Sequence, residues 1–301
     1  MEKSEQKVPW LDHLALTLAK FYFRKDRANA REVRSLAEQH TNPAPLLETF
    51  ESGNSIPTDP GGGETNSLWD FAYINGSSRV LPPPHGEAGS ILVENGVLKL
   101  QVRQDPSFDS KSARWKKGVP AAEQYNNAYM IGMAGFLPTP ERAVRIDCRM
   151  RISPGFHGST GFWVEEENTF DPKTGIMITP FRSFGFSYLG DSSDVYIRGL
   201  AAETVLGLSI QGKKTIHGID VSQWHTYTMK WSWAGERQQK VEFTIDEDPV
   251  AELRMHPFGP SEVQLWADNY QIGRGLKIGY LNVPDTDETL YDWIRVEEVP
   301  G

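Results

Sequence analysis

With 301 residues, 39% of them hydrophobic and 24% charged, the chain has the composition of a folded protein and not of a disordered one. Its length supports one large core or two modest ones. A formal net charge of −9 and the lack of a basic stripe interleaved with aromatics remove the electrostatic term that drives nucleic-acid binding.

At the N-terminus, Trp10, Leu14, Leu18 and Phe21 recur at helical spacing and predict a helix with one apolar face. The apolar stretch Leu14 to Phe23 is interrupted by Lys20 and lacks a small-residue cleavage site, so it reads as neither a signal peptide nor a membrane span. As given, the chain is expected in the cytoplasm, or outside the cell if a leader has been removed. A second short helix follows, with Asp26 placed to cap it, Ala30, Val33, Leu36 and Ala37 as its inner stripe, and Asn42-Pro43 ending it. Residues 1–50 are therefore expected to form a helical extension docked on the main domain. The alternative is a surface for a partner or a membrane. Residues 51–66 are rich in Gly, Pro and Ser and read as a linker; Gly61-Gly62-Gly63 lacks the Lys-Ser/Thr that would make it a phosphate loop. Asn75-Gly76-Ser77 fits a glycosylation sequon, which matters only in a secreted protein.

From residue 67 to 301 the apolar pattern changes to period two. The clearest strand is Val144–Ile152, where Val144, Ile146, Cys148, Met150 and Ile152 alternate with charged residues and should face a core. Further strands are expected at Leu98–Val102, Gly161–Val164, Phe184–Leu189, Val195–Leu200, Thr226–Trp233, Val241–Ile245, Val263–Ala267, Leu276–Leu281 and Tyr291–Val296. No helical pattern intervenes, so the strands pair antiparallel, and a chain of this length favours an all-β sandwich or jelly roll. Cys148, the single cysteine, cannot form an internal disulfide and reads as a small buried hydrophobe. The seven histidines show no close pair at metal-ligand spacing, so neither a transition metal nor a cofactor is expected. Nine tryptophans are the compositional outlier and fit an aromatic core, stacking platforms, or both.

The order of segments resembles glycoside hydrolase family 16, the lichenase and laminarinase group of the concanavalin A-like lectins and glucanases. Ile146-Asp147-Cys148-Arg149-Met150 is similar to the family's aromatic-Glu-Val-Arg-Met strand, and Gly161-Phe162-Trp163-Val164 to the next strand, which lines its cleft. Trp224-His225-Thr226-Tyr227-Thr228-Met229-Lys230-Trp231 resembles its His-Thr-Tyr-x-x-x-Trp strand, with Val241–Asp246 as the return of the hairpin. Leu265-Trp266 resembles its Leu-Trp strand, and Tyr291-Asp292-Trp293-Ile294-Arg295-Val296 its terminal Asp-Tyr-Val-Arg-Val. The likeness covers roughly residues 140–297 and rests on the shared order of motifs. It implies an antiparallel concanavalin A-like jelly-roll sandwich with a short N-terminal helical extension. It also implies a structural calcium held partly by Asp292, although backbone ligands cannot be read from sequence.

The departure lies in the strand where the family carries Glu-Ile-Asp-Ile-Glu-Phe-Leu-Gly and this chain has Ser183-Phe184-Gly185-Phe186-Ser187-Tyr188-Leu189-Gly190. Retaining glycoside hydrolysis needs a nucleophilic carboxylate and a carboxylic acid roughly 5–5.5 Å apart. Serine and glycine supply neither. The family's reaction by the family's route is therefore not expected. Alternation and the resemblance together put Arg149, Trp163, Glu165, Arg198 and Trp266 on the concave surface with Ser183 and Ser187, where tryptophan faces and polar groups suit a polyhydroxylated ring. For Trp163 and Trp266 the alternative is core packing, and for Arg149 a solvated strand face. Glu165 with Asp147 is the residual candidate for a relocated acid pair, against the ordinary reading of Glu165-Glu166-Glu167 as a solvated charge run.

Three functions remain open. The leading one is a non-hydrolytic, lectin-like protein that binds a carbohydrate or similar ligand. The second is an enzyme, either a glycoside hydrolase with relocated acids or an isomerase or cyclase in the widened pocket. The third is a scaffold whose N-terminal helices dock on a partner.

Overall fold

The computed structural model describes residues 30–51, 71–75, 80–81, 91–104, 125–131, 135–166, 170–171, 176–177, 181–190, 196–205, 208–268, 270–272, 278–280 and 286–301. Strands fill most of them: β1 (Leu46–Glu48), β2 (Phe71–Asn75), β3 (Val80–Leu81), β4 (Ile91–Glu94), β5 (Val97–Gln104), β6 (Tyr125–Ile131), β7 (Arg142–Ile152), β8 (Ser159–Glu166), β9 (Phe170–Asp171), β10 (Ile176–Met177), β11 (Phe181–Leu189), β12 (Tyr196–Val205), β13 (Leu208–Ile216), β14 (His225–Trp233), β15 (Gln239–Ile245), β16 (Asp248–Met255), β17 (Ser261–Asp268), β18 (Tyr270–Ile272), β19 (Ile278–Tyr280) and β20 (Asp287–Pro300). The helix expected at Trp10–Phe23, the Asp26 cap, the linker residues 52–66 and Gly76-Ser77 of the sequon lie outside the described residues.

Hydrogen bonds join sixteen strands antiparallel, twelve along the path β13-β12-β11-β8-β17-β6-β5-β20-β7-β14-β15-β16 and four beside it, with β1 on β20, β2 on β6, β3 on β2 and β4 on β5. At the β5–β6 crossing only Arg103↔Asn126 and Gln104↔Tyr125 pair, and there the path turns back on itself. The result is a front sheet from β13 to β6 and a back sheet from β5 to β16, packed face to face as a jelly-roll sandwich. Phe184 of the front sheet meets Trp231 of the back at 5.2 Å, and Phe186 meets Tyr227 at 5.2 Å and Phe243 at 5.1 Å. Each such side chain contributes roughly 1.5–3 kcal/mol by leaving water. Two buried polar links cross the core as well: the Thr160 and Thr289 hydroxyls lie 2.6 Å apart, and Tyr291 Oη donates to the Gly161 carbonyl at 2.7 Å. Burial pushes the Tyr291 phenol well above its ordinary pKa and so keeps that donor protonated.

Ile146, Cys148 and Met150, expected to face a core, are at most 2% exposed, and so are Phe184, Phe186, Tyr227, Met229 and Trp231. Burial also pushes the Cys148 thiol well up, which leaves it an inert hydrophobe.

The N-terminal segment differs from its expectation in two respects. Residues 30–37 are helical and bury Ala30, Val33 and Ala37, but Leu36 is 45% exposed. At 100° per residue those three span a 60° arc and Leu36 falls 60° beyond its edge. The segment is also not helical throughout, because β1 adds to the back sheet with Leu46↔Val296, Leu47↔Arg295 and Glu48↔Ile294, and Phe50 is fully buried in the sandwich core. Asn42 bridges the two parts: its amide donates to the Leu137 carbonyl at 2.9 Å, and its oxygen accepts from the Leu137 N–H at 2.7 Å.

Candidate functional site

Period two gives each sheet one core face and one outer face, and the register decides what meets on the outer face of the front sheet. On β8, Phe162 and Val164 enter the core while Trp163 and Glu165 face out. On β11, Phe184, Phe186 and Tyr188 enter it, which turns Ser183, Gly185 and Ser187 outward. On β17, Val263, Leu265 and Ala267 go in, and Glu262, Gln264 and Trp266 come out.

Pairing lines these residues up in three cross-strand rows. Ser183, Glu165 and Glu262 form one, Gly185, Trp163 and Gln264 the next, and Ser187, Gly161 and Trp266 the third. Arg198 of β12 lies opposite Ser187 in the ladder. Two glycines make the middle of this face close-packed. A Cβ on Gly161, whose φ is +149°, would stand 3.0 Å from Trp266 Cη2 and 2.1 Å from the Phe186 carbonyl oxygen. A Cβ on Gly185 would meet the Phe162 carbonyl oxygen at 2.3 Å and Trp163 Cβ at 2.5 Å.

Trp163 stacks on Trp266 with ring centroids 4.2 Å apart and planes 26° from parallel. Both ring N–H groups are held, Trp163 Nε1 donating to Gln264 Oε1 at 2.9 Å and Trp266 Nε1 to Ser159 Oγ at 3.2 Å. Gln264 Nε2 then donates to Glu262 Oε1 at 2.9 Å, so Trp163, Gln264 and Glu262 form one polar chain along β17. Access is graded. Trp266 and Glu165 are each 2% exposed and Ser183 1%, whereas Trp163, Ser187 and Glu262 are half-buried. Trp266 is thus not the open platform expected of it; it is the support beneath Trp163, the ring that keeps accessible surface. Ser183 Oγ, buried beside Glu165, has no hydrogen-bond partner.

Three expected site residues lie elsewhere. Arg149 and Asp147 belong to β7 in the back sheet, on its outer face, because the core separates β7 from β8 and β11. Asp147 is fully buried, and donors take both its oxygens: Arg145 Nε at 2.9 Å, Thr228 Oγ1 at 2.6 Å, and Arg295 Nε and Nη2 at 3.0 and 2.6 Å. It cannot partner Glu165. Arg149 pairs with Asp292 at 3.2 Å, and its guanidinium and that of Arg151 lie 5.8 and 5.1 Å from the centroid of Trp224. Asp292 sits where the β20–β7 register shifts between Tyr291 and Trp293. Its carboxylate faces a guanidinium, and no group of three or more His, Cys, Asp or Glu among the described residues is arranged to hold a metal.

A groove of about 960 Å3 crosses the outer face of the back sheet over Thr228, Lys230, Glu242 and Thr244. Arg145, Thr228 and Arg295, which bond Asp147, line it, and the aromatic residue in its lining, Phe243, is fully buried. The chemistry-bearing rows lie on the opposite side of the sandwich. Glu262 and Gln264 are the site residues that sequence reading missed. The signal was present, since a strand was expected at Val263–Ala267 with Trp266 on the concave face, and alternation puts Gln264 and Glu262 on the face of Trp266.

No protein-family model matches the chain, and no curated protein matches it in sequence. Solved structures do match in fold. A β-1,3-1,4-glucanase (lichenase) derived from a mouse hindgut metagenome aligns with a TM-score of 0.51 and 14% identity over 85% of this chain and 99% of that one. The catalytic domain of an endo-1,3-β-glucanase (laminarinase) from Thermotoga petrophila aligns at 0.54 and 17% over 85% and 96%. The κ-carrageenase from Pseudoalteromonas carrageenovora, in complex with an oligotetrasaccharide of κ-carrageenan, aligns at 0.52 and 13% over 85% and 96%. At 13–17% identity the likeness is one of fold alone, the jelly-roll sandwich expected from the resemblance to glycoside hydrolase family 16.

Proposed function

We propose that this chain is a carbohydrate-binding protein that holds its ligand on the outer face of the front sheet and does not hydrolyse it by the route of the family its sequence resembles. The observation that carries the reading is the Trp163 platform, backed by Trp266 and set in a grid whose other members are polar. A sugar ring presents C–H groups on its faces and hydroxyls at its edge, so it takes a flat aromatic ring beneath and carboxylate, amide and hydroxyl groups beside it. Half-buried Glu262 and Ser187 supply those edge partners within one or two ladder positions of Trp163. On β11 the outward positions include Ser183, Gly185 and Ser187, and the strand carries no carboxylate.

The direct test is binding to soluble laminarin, lichenan and κ-carrageenan by affinity electrophoresis and calorimetry. Retardation by at least one of them, weakened tenfold or more in Trp163→Ala, is the expected result. No binding to any of the three, or binding indifferent to Trp163→Ala, would overturn the assignment of this face.

A further inference from the structure

The outer face of the back sheet carries a charged row of its own. Glu297, Arg145, Lys230, Glu242 and Glu252 stand opposite one another across β20, β7, β14, β15 and β16, each flanked along its strand by residues that turn to the core. Directly opposed residues of an antiparallel pair hold their Cβ atoms about 4.5–5.5 Å apart, and like charges there repel. The row contains two such clashes, Arg145 against Lys230 and Glu242 against Glu252. Cations off the row relieve the acids: Glu242 lies 3.0 Å from Lys240, Glu252 3.4 Å from Arg254 and Glu297 3.5 Å from Arg295. The two central cations have no such relief from the row. Arg145 bonds Asp147 through Nε and leaves both Nη groups, and half-buried Lys230 makes no ion pair or hydrogen bond among the described residues. Asp147, fully buried, grips Arg145 and Arg295 together, so a ligand meets guanidinium groups that are already ordered.

The groove of about 960 Å3 lies over this row, with Arg145, Lys230 and Arg295 lining it on the β20 side and Glu242 and Glu252 on the β16 side. Its volume is that of a small-molecule site, roughly 300–1,000 Å3. We infer that the groove binds a small hydroxylated anion, a sugar that carries one phosphate, sulfate or carboxylate group. The oxyanion sits between Arg145 and Lys230, takes charge-assisted hydrogen bonds from the Nη groups and Nζ, and removes the repulsion between them. Hydroxyls on the rest of the ligand donate to the Glu242 and Glu252 carboxylates, which can only accept. A single anionic group suits the site better than a polyanion, because the acidic half of the groove and the net charge of −9 repel further negative charge. The site is separated from the Trp163 face by the core and does not depend on the reading of that face.

The test titrates glucose 6-phosphate, glucose 6-sulfate and glucuronate into the full chain by calorimetry at low ionic strength, with glucose, inorganic phosphate, inorganic sulfate and acetate as controls. At least one of the three should bind tenfold or more tighter than both glucose and its own bare ion, and the one that does identifies the anionic group. Lys230→Gln should weaken that binding tenfold or more, and Lys230→Arg should retain it. Without ligand, Lys230→Gln should melt at a higher temperature than the unaltered protein, because the repulsion with Arg145 is gone. Trp163→Ala should change the affinity less than twofold, and Lys230→Gln should leave laminarin and lichenan binding as it is, so the two faces fail separately. Binding of none of the three, binding no tighter than that of the bare ions, or binding indifferent to Lys230→Gln would overturn the site. A lower melting temperature of ligand-free Lys230→Gln would do the same, since it would show Lys230 already satisfied within the row.

Discussion

Truncating the two stacked tryptophans separately distinguishes a platform from its support. Trp266 is 2% exposed, so Trp266→Ala leaves a cavity, loses the bond to Ser159, and should cost roughly 3–5 kcal/mol. Trp163 lies over it and keeps accessible surface, so Trp163→Ala loses the stacking contact, worth about 0.5–1.5 kcal/mol, and the bond to Gln264, worth about 1 kcal/mol. Its total should be near 2 kcal/mol. Urea denaturation measures both, and a double-mutant cycle should return a coupling of about 0.5–1.5 kcal/mol for the stack. Glycan affinity should fall in Trp163→Ala in proportion to lost ring contact. Equal stability losses from the two variants, with affinity unchanged in Trp163→Ala, would make Trp163 an ordinary packing residue and refute the platform.

Other substitutions test the geometry around it. Introducing an acid by Gly185→Asp should lower stability by several degrees in a melt, because its Cβ would stand 2.5 Å from Trp163 Cβ and 2.3 Å from a backbone oxygen; a soluble, equally stable variant would contradict that packing. Asp147→Asn should cost about 1.5–3 kcal/mol in urea denaturation. This is below the roughly 3–5 kcal/mol of a fully buried pair, because the Arg145 and Arg295 side chains are 38% and 39% exposed and rehydrate. Glycan binding should be untouched, and a change in it would return Asp147 to the site. Asp246 works against a burial penalty, but hydrogen bonds from His225 and the Thr226 N–H hold its carboxyl below the ordinary aspartate value. A lowered folded pKa stabilises above the unfolded value of about 3.9 and loses that contribution as pH falls through the folded one. The gap in melting temperature between the protein and Asp246→Asn should therefore be present at pH 7 and shrink as pH falls below about 4.

Much of the fold was legible because local alternation reports burial directly. Val144–Ile152 alternates without error, and the strand runs Arg142–Ile152. Strands with weak alternation escaped. β16 reads Asp-Pro-Val-Ala-Glu-Leu-Arg-Met, with no residue fully inside before Met255, and β6 contains two adjacent asparagines. β4 and β5 are joined at Asn95-Gly96, both at positive φ, a hairpin signature that was available in the sequence.

The sequence by itself determined which residues of each strand avoid the core, and it determined that β11 carries no acid, because both follow from side-chain identity and a period of two. It could not determine which outer face a strand contributes to. Arg149 and Trp163 have the same local signature, yet the core lies between their strands. Nor could it pair Glu165 with Glu262 or lay Trp163 on Trp266, since those meetings depend on register between strands far apart in the chain. A sandwich has two solvent-facing surfaces with identical alternation, so only the order of strands within each sheet, fixed by long-range hydrogen bonding and core packing, assigns a polar residue to one of them.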